Sequence, residues 1–597
     1  KRQIVNLEKT QGVLEYIDVD EMDNCLIATS QEVLINSNLE EIQYTHCELH
    51  SSMMFGLLGY LTPFNNCSQS IRNVFASGHC KQTVGIYCSN YKNRMDNGAH
   101  VLNYPQKPLT NTKMSKFVMN SDLPCGNNII VGIGSFSGYN QEDSVIINKD
   151  SLDKGLFNTT YYKVYEAEEF RDKQKATTTS FYSPFEENDI TPKSEYNYGK
   201  IDKFGVINEN VYVNDNDVLI SQFTENEEGI TDSSLAVKKG GGGLVDKVYL
   251  FNTNSDNQRL AKIRLVTTRI PETGDKFGSR YGQKGTIGTV MNAIDMPYSS
   301  SGVVPDMIVN PHAFPSRMTI GQFIETLTNK LAVNLGFIFD GTSFQKQDMN
   351  QLGRLLEEKC NFDKTGNEIL YNGRTGKQMS CDMFIGPTFY QRLKQMVKDK
   401  IYSRARGPVT MRERQPPQGR AAGGGLRIGE MERDAIIAHG LSQFLKESMV
   451  ERSDGSNNLL TISDHTGEFA AYNPKRNIYL SPSCDGPLKF EKNKYGELEL
   501  LNKNNKSFSF SKVNIPYTLQ LLLQECEAMG LQLRIGTTNK MNSMFDENEF
   551  SELRDKNLEI NSIENKLDLE INSIANKLDL EINSIENKLE INSIENK

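Results

Sequence analysis

Apolar positions recur with two different periods along this chain, and the stretches between them are polar and rich in asparagine and glycine. In MTIGQFIETLTNKLAVNLG (318–336), Ile320, Phe323, Ile324, Leu327 and Leu331 fall three and four apart behind a Pro-Ser start. That spacing predicts an amphipathic helix packed on a core. The stretch VNIPYTLQLLLQECEAMGLQLRI (513–535) predicts a second amphipathic helix followed by a strand. Alternation takes over in NNIIVGIGSFSGYNQEDSVIIN (127–148), which reads as two strands joined by a loop presenting Gln141 to Ser144. Near the start, VLEYIDV, CLIAT and EVLI are short β-type runs. MMFGLLGYLTPF (53–64) reads as a buried helix, too short to cross a bilayer. Residues 159–270 mix short strands with Asn-rich spacers and the flexible point KKGGGGLVDKVYL, as a separate β-rich subdomain would. Residues 401–433 carry arginine, glycine and proline with little periodicity, which predicts an ordered loop.

The last forty residues repeat LEINSIENK-like units, with apolar positions spaced 3, 4, 4 in rotation. This eleven-residue period fits a helix with little or slightly right-handed supercoil. Asn and Ser in every unit weaken the helix, so a solvated or disordered extension and a self-associating or partner-binding helix both stay open. At 597 residues and 37% hydrophobic content, several ordinary domains are expected. The formal charge of −10 argues against a wholesale polyanion binder and confines any nucleic-acid contact to local patches. Ten cysteines without a CxxC pair favour free thiols in a reducing compartment, and no run is long enough to span a membrane. The chain begins with Lys, so an upstream part is expected to be missing or cleaved.

Candidate chemistry gathers in three places. GDKFGSRYGQKGTIG (274–288) has five glycines, with Lys276, Arg280 and Lys284 opposed in sequence only by Asp275. It is not a P-loop, because Gln283 separates Gly282 from Lys284 and Gly285 follows. Five glycines at ~1 kcal/mol each disfavour a helix, so an extended or looped backbone should fan the cations outward. Such a stretch suits sugar-phosphate or polyphosphate contact, and equally a solvated surface loop. The adjacent Glu142 and Asp143 could lend carboxylate to a magnesium ion that keeps most of its waters, although adjacent acids are common on surfaces. Arg317, at the start of the helix predicted from 318, could fork onto phosphate oxygens or simply face solvent.

Taken in order, YTHCELH (44–50), RNVFASGHCKQTVGIY (72–87), NYPQKPL (103–109), GYNQEDSVIIN (138–148), GDKFGSRYGQKGTIG, PDMIVNPHAFPSRMTIGQFIE (305–325), YQRLKQMVKDKIYSRARGPV (390–409), GGLRIGEMERDAIIAHG (424–440) and IPYTLQLLLQECEAMGLQLRI (515–535) closely resemble the second-largest subunit of eukaryotic-type multisubunit DNA-directed RNA polymerases, the counterpart of the bacterial β subunit. The resemblance covers most of residues 11–540. It implies that Glu142 and Asp143 approach a second, substrate-borne Mg2+, that Arg72 and Arg317 meet NTP phosphates, and that Lys276 and Lys284 face the RNA 3′ end and substrate. It implies hybrid contact by Lys81 and Gln82, and template or hybrid backbone contact by Arg404, Arg406, Arg414, Arg420, Arg427 and Arg433. Nucleotidyl transfer by two metal ions fits these charges.

The implied fold is multidomain α+β. A lead segment (1–50) precedes the first part of a hybrid-binding region (51–158), a wall- or flap-like β subdomain (159–270) and the second hybrid-binding part (271–393). An anchor with the arginine-rich loop (394–448), a clamp-contributing, degenerate zinc-ribbon-like module (449–541) and the repetitive tail (542–597) complete it. Three departures qualify the resemblance. The family member is about twice as long, so the missing N-terminal half is expected on a separate chain, cleaved off or not included. The places of the two zinc-binding CxxC pairs read ISDHTG (462–467) and LSPSCDG (480–486), leaving Cys484 with His465 nearby, so no Zn2+ is expected. The aspartate triad of the largest subunit occurs nowhere, so the active centre should be completed by that partner. Further expected partners are the smaller polymerase subunits, DNA template, RNA–DNA hybrid and NTPs, with no membrane. The expected location is intracellular: nuclear, or a cytoplasmic viral factory or virion. A non-catalytic paralogue or scaffold is the alternative, opposed by the presence of Glu142, Asp143, Lys276, Lys284 and Arg317.

Overall fold

The computed structural model describes residues 14–37, 44–118, 122–172, 177–185, 192–226, 229–238, 240–252, 258–345, 347–455, 458–473, 478–483, 490–492, 498–500 and 509–537. The chain mixes helix and strand and forms two compact units, Lys1–Ile401 and Tyr402–Lys597. The elements of the first unit used below are α1 (Ser70–Cys80), β1 (Ala99–Leu102), β2 (Asn127–Ile133), β3 (Ser144–Asn148), β4 (Thr159–Glu168), β5 (Tyr212–Val213) and β6 (Gly243–Asn252). They continue with β7 (Arg259–Arg269), β8 (Lys276–Ser279), β9 (Lys284–Met291), β10 (Met307–Val309), α2 (Ile320–Leu335), β11 (Asn367–Glu368) and β12 (Met383–Arg392).

Seven strands form one sheet in the order β8-β9-β3-β10-β2-β12-β11, and β8 also pairs with β12. Six of them therefore close into a ring, which removes the unpaired strand edges. Alternate side chains fill its interior: Ile129, Val131, Val145, Ile147, Phe277, Ile287, Met307 and Tyr390 share one buried cluster. The expected pair of strands at 127–148 is present as β2 and β3, but β10 lies between them, parallel to β2 and antiparallel to β3. A second, five-stranded sheet has the order β5-β6-β7-β4-β1 and its own core around Val245, Ala261, Ile263 and Leu265. Its edge strand β1 comes from residues before 159, so this sheet is not drawn from 159–270 alone.

Four expectations need correction. The run EVLI is helical, within Gln31–Ser37, where Ser30 Oγ accepts from Val33 N–H as an N-cap. The stretch 53–64 is not one buried helix: a 3-10 turn, Ser51–Phe55, is followed by the short helix Gly56–Tyr60, and Met54 and Leu57 are exposed. The break falls at Gly56, whose φ is 67°. The helix α2 exists, but its deepest face is polar, with Gln322, Glu325, Thr326, Thr328 and Asn329 buried and Ile320 half exposed. Part of this face is satisfied in pairs, Thr326 and Thr388 hydroxyls meeting at 2.8 Å and Thr110 Oγ1 donating to Asn329 Oδ1 at 2.6 Å, while Gln322 Oε1 and Glu325 Oε2 are buried without a partner among the described residues.

The second unit contains α3 (Glu430–Ala438), the antiparallel pair β13 (Leu459–Ser463) and β14 (Phe510–Asn514), and α4 (Tyr517–Ala528). The fourth correction is here. Among the described residues no strand follows α4; residues 531–537 make no ladder, Ile535 N–H donates to Gly467 O, and Leu531 is exposed. The loop expected at 401–433 gives way to α3 at Glu430, and up to there it is ordered by its own backbone, Gly424 N–H donating to Gly419 O at 2.9 Å and Gly425 N–H to Pro417 O at 3.0 Å. The repetitive tail at 542–597 and Cys484 lie outside the described residues.

Candidate functional site

The glycine-rich stretch at 274–288 folds as a tight hairpin of β8 and β9, with Lys276 opposite Thr286. Two of its glycines are there because other backbone comes close. A Cβ on Gly282, whose φ is 72°, would meet Arg72 O at 2.5 Å, and one on Gly285 would meet Asp143 O at 2.6 Å. The hairpin is thus pressed between α1 on one side and the acidic loop 134–143 on the other, and Thr286 N–H donates to Asp143 O at 3.1 Å.

The charges then separate by role. Arg280 is buried, donating to Glu325 Oε1 at 2.7 Å and to Thr110 O at 2.9 Å. Asp275, the only acid within the stretch, is buried against Arg392 at 2.7 Å and also accepts from Val397 N–H at 3.0 Å. It therefore does not neutralise the hairpin. Lys276 is half-buried and Lys284 exposed, and neither has an ion-pair partner among the described residues.

Opposite them, Glu142, Asp143, Lys284 and Arg317 line one small pocket together with Gln283, Ser144 and Tyr390. Glu142 sits at φ 52°, a left-handed conformation that costs a residue with a Cβ roughly 1–2 kcal/mol. The loop is held by the buried Asn140, whose amide donates to Gly134 O at 2.7 Å and accepts from Phe136 N–H. The peptide oxygen of Glu142 accepts from Asn310 at 3.3 Å. Arg317 bridges the pocket: Nη2 is paired with Asp143 Oδ1 and Nη1 donates to Gln283 Oε1 at 2.7 Å.

Arg72 reaches the same neighbourhood from α1, donating to Gly282 O at 3.4 Å with its guanidinium over the Phe75 ring. Burial and the nearby Arg317 lower its pKa, which Asp143 partly offsets. Two further residues stand among these charges that the sequence reading does not single out. Gln283, by sequence alone, only spoils a P-loop. His79, also on α1, is buried with Nδ1 unpartnered; burial first, then Lys284, Arg72 and Lys276, push its pKa down and keep it neutral. A long amide or an imidazole inside a cation-rich motif is the signal that could have flagged either.

The remaining sequence candidates lie elsewhere. Lys81 is exposed, and Gln82 accepts from Gln395 at 2.8 Å beside β12. In the second unit, Arg404 is turned onto its own loop, donating to Gly423 O and Pro408 O, and Arg414 lies 4.0 Å over the Tyr517 ring. Arg433 pairs with Asp434 on α3, whereas Arg406, Arg420 and Arg427 are exposed.

Unpaired lysines and paired arginines facing two carboxylates across a rigid hairpin form a wall suited to a polyphosphate and its metal ion. The chain belongs to the RNA polymerase Rpb2 family: residues 58–422 match RNA polymerase Rpb2, domain 6, residues 424–538 match domain 7, and residues 6–50 match domain 5. It is 39% identical over 541 residues to DNA-directed RNA polymerase II subunit RPB2 of Encephalitozoon cuniculi, covering 88% of this chain and 45% of that protein. It is 37% identical over 567 residues to DNA-directed RNA polymerase subunit 2 of Acanthamoeba polyphaga mimivirus, covering 89% and 45%. With subunit Rpo2 of Sulfolobus acidocaldarius the identity is 35% over 550 residues, covering 89% and 46%. The resemblance drawn from the motifs holds, and the chain spans less than half the length of these curated relatives.

Proposed function

We propose that this chain is a catalytic-core part of a DNA-directed RNA polymerase and forms one wall of a nucleotidyl-transfer site completed by the largest subunit. The observation that carries the reading is the convergence of Glu142, Asp143, Lys284 and Arg317 on one pocket, with Lys276 and Arg72 beside it. In this reading Lys276 and Lys284, free of counter-ions, hold the RNA 3′ end and the incoming triphosphate, and Arg72 and Arg317 orient its phosphates. Lys81, Gln82, Arg406, Arg420 and Arg427 track the hybrid or template backbone by charge and hydrogen bonding. Arg404, Arg414 and Arg433 serve that contact indirectly, by shaping the loop and helix that carry it.

Glu142 and Asp143 fit a magnesium ion shared with substrate phosphates rather than a closed protein cage, since among the described residues no three metal-ligating side chains cluster. Mg2+ there would supply neutralisation of charge on the triphosphate oxygens. Zinc has no place in the second unit in this reading, because the sequence lacks the paired cysteines such a site needs. The partners implied are the largest and smaller polymerase subunits, DNA, RNA and NTPs, in a nucleus or a viral factory. In polymerase reassembled with this chain, Lys284→Ala should slow elongation at limiting NTP by roughly 10²-fold, the scale of losing one preorganised charge donor. Unchanged elongation would favour a scaffold that binds nucleic acid without chemistry.

A further inference from the structure

Gln283 occupies an unusual place for an uncharged side chain. It stands in the turn of the β8–β9 hairpin between the two lysines, is 6% exposed, and its backbone closes the turn, with Ser279 N–H donating to Gln283 O at 2.8 Å. Its side-chain nitrogen donates to Ala313 O and to Thr319 Oγ1, both at 2.9 Å. Those two acceptors come from the turn before α2 and from the residue capping α2, so the amide is anchored to a different part of the fold from its own hairpin. With both donors taken, only Oε1 remains, and it accepts from Arg317 Nη1 at 2.7 Å. The amide orientation is thereby fixed by its partners.

Arg317 has a second partner, Asp143, on Nη2. In the reading given above, Asp143 is drawn toward a metal ion and Arg317 toward phosphate when substrate binds. The ion pair between them must then loosen, and a guanidinium released on one side swings unless the other side is held.

We propose that Gln283 is the positioning residue of Arg317: its anchored amide oxygen holds the guanidinium toward the phosphates while Asp143 exchanges its arginine for the metal-bound substrate. Gln283 is neutral, so it orients the cation without adding an opposing charge, as a carboxylate at this position would. It touches no reacting atom. This inference rests on the phosphate role assigned to Arg317.

The test is a double-mutant cycle in polymerase reassembled with this chain, read as NTP KM and kcat in single-nucleotide extension. Gln283→Leu should raise the NTP KM roughly tenfold or more, the scale of a hydrogen bond to a charged group, with a smaller change in kcat. In an Arg317→Ala background the same substitution should add less than about twofold, because the group it positions is gone. An equal KM penalty in both backgrounds would overturn the proposal, since it would show a role in hairpin structure alone. No KM change with Arg317 intact would overturn it as well. If Gln283→Leu does not assemble, Gln283→Met, closer in shape, carries the same cycle. Should Arg317→Ala itself leave the NTP KM unchanged, the phosphate reading of the pocket fails and the role of Gln283 falls with it, an outcome distinct from failure of the cycle.

Discussion

The two compact units differ in what they keep inside. The first buries four apolar clusters and encloses complete ion pairs: Arg392 with Asp275, 1% and 4% exposed at the side chain, and Arg280 with Glu325, 8% and 0%. The second buries only Ile462, Ile515 and Leu523 among its described apolar side chains, while Met411 and Met431 stand 97% and 84% exposed. Several of its ion pairs lie at the surface, as Arg412 with Glu525 does at 2.8 Å, although Arg534 meets the buried Glu468 at 2.9 Å. The first unit is thus held by its own interior, where charges are fixed by burial. The second is held by loop hydrogen bonds and offers apolar surface of the kind that a partner covers.

The contrast is open to direct attack. The largest effect is expected from Arg392→Met, which leaves the buried Asp275 without its cation and removes donors to Phe157 O and Arg269 O. It should destabilise the first unit by about 3–5 kcal/mol in urea denaturation. A loss under about 1 kcal/mol would mean that water reaches this pair.

An intermediate effect is expected from pH. Burial, and then the nearby Arg269, lower the pKa of His100 from 6.5 to about 4. Because the folded-state pKa is the lower one, the unfolded chain takes up its proton first, so stability is full above about 6.5 and is lost as pH falls toward 4. The loss attributable to this group should reach roughly 3 kcal/mol. Melting of the full chain against pH should show the slope, and His100→Gln should flatten it; an unchanged slope would remove His100 as its source.

The smallest effect belongs to the second unit. Arg412→Ala should leave the urea unfolding midpoint of the second unit nearly unchanged, and more so in high salt, because the pair is exposed and screened. A penalty like that of Arg392→Met would erase the distinction between the units.

Local features were legible in the sequence where one short stretch decides them. The glycines of 274–288 rule out a helix, and the hairpin follows; the 3.6-residue periodicity marks α2 and α4. What could not be read depends on distant partners. Ring closure needs β8 to find β12, with Phe277 opposite Arg392 across more than a hundred residues. The polar face of α2 is buried because Thr388, Thr110 and Arg280 meet it, and a periodicity that counts apolar residues is blind to that. At the site, the motifs bring Glu142, Asp143, Lys276, Lys284, Arg72 and Arg317 into view, but which cations stay free does not follow from them. Asp275 appears in sequence as the counter-ion of the hairpin, and only the fold shows it committed to Arg392.

Closure of the barrel also has a mechanical side. β8 is bonded to β9 along one edge and to β12 along the other, so Lys276 stands on a strand that cannot slide past one neighbour without tearing from the second. A surface of this kind behaves as an anvil. If a working cycle requires movement, it falls to parts outside the ring, such as the loop 134–143, poised on its left-handed residues Ser137 and Glu142.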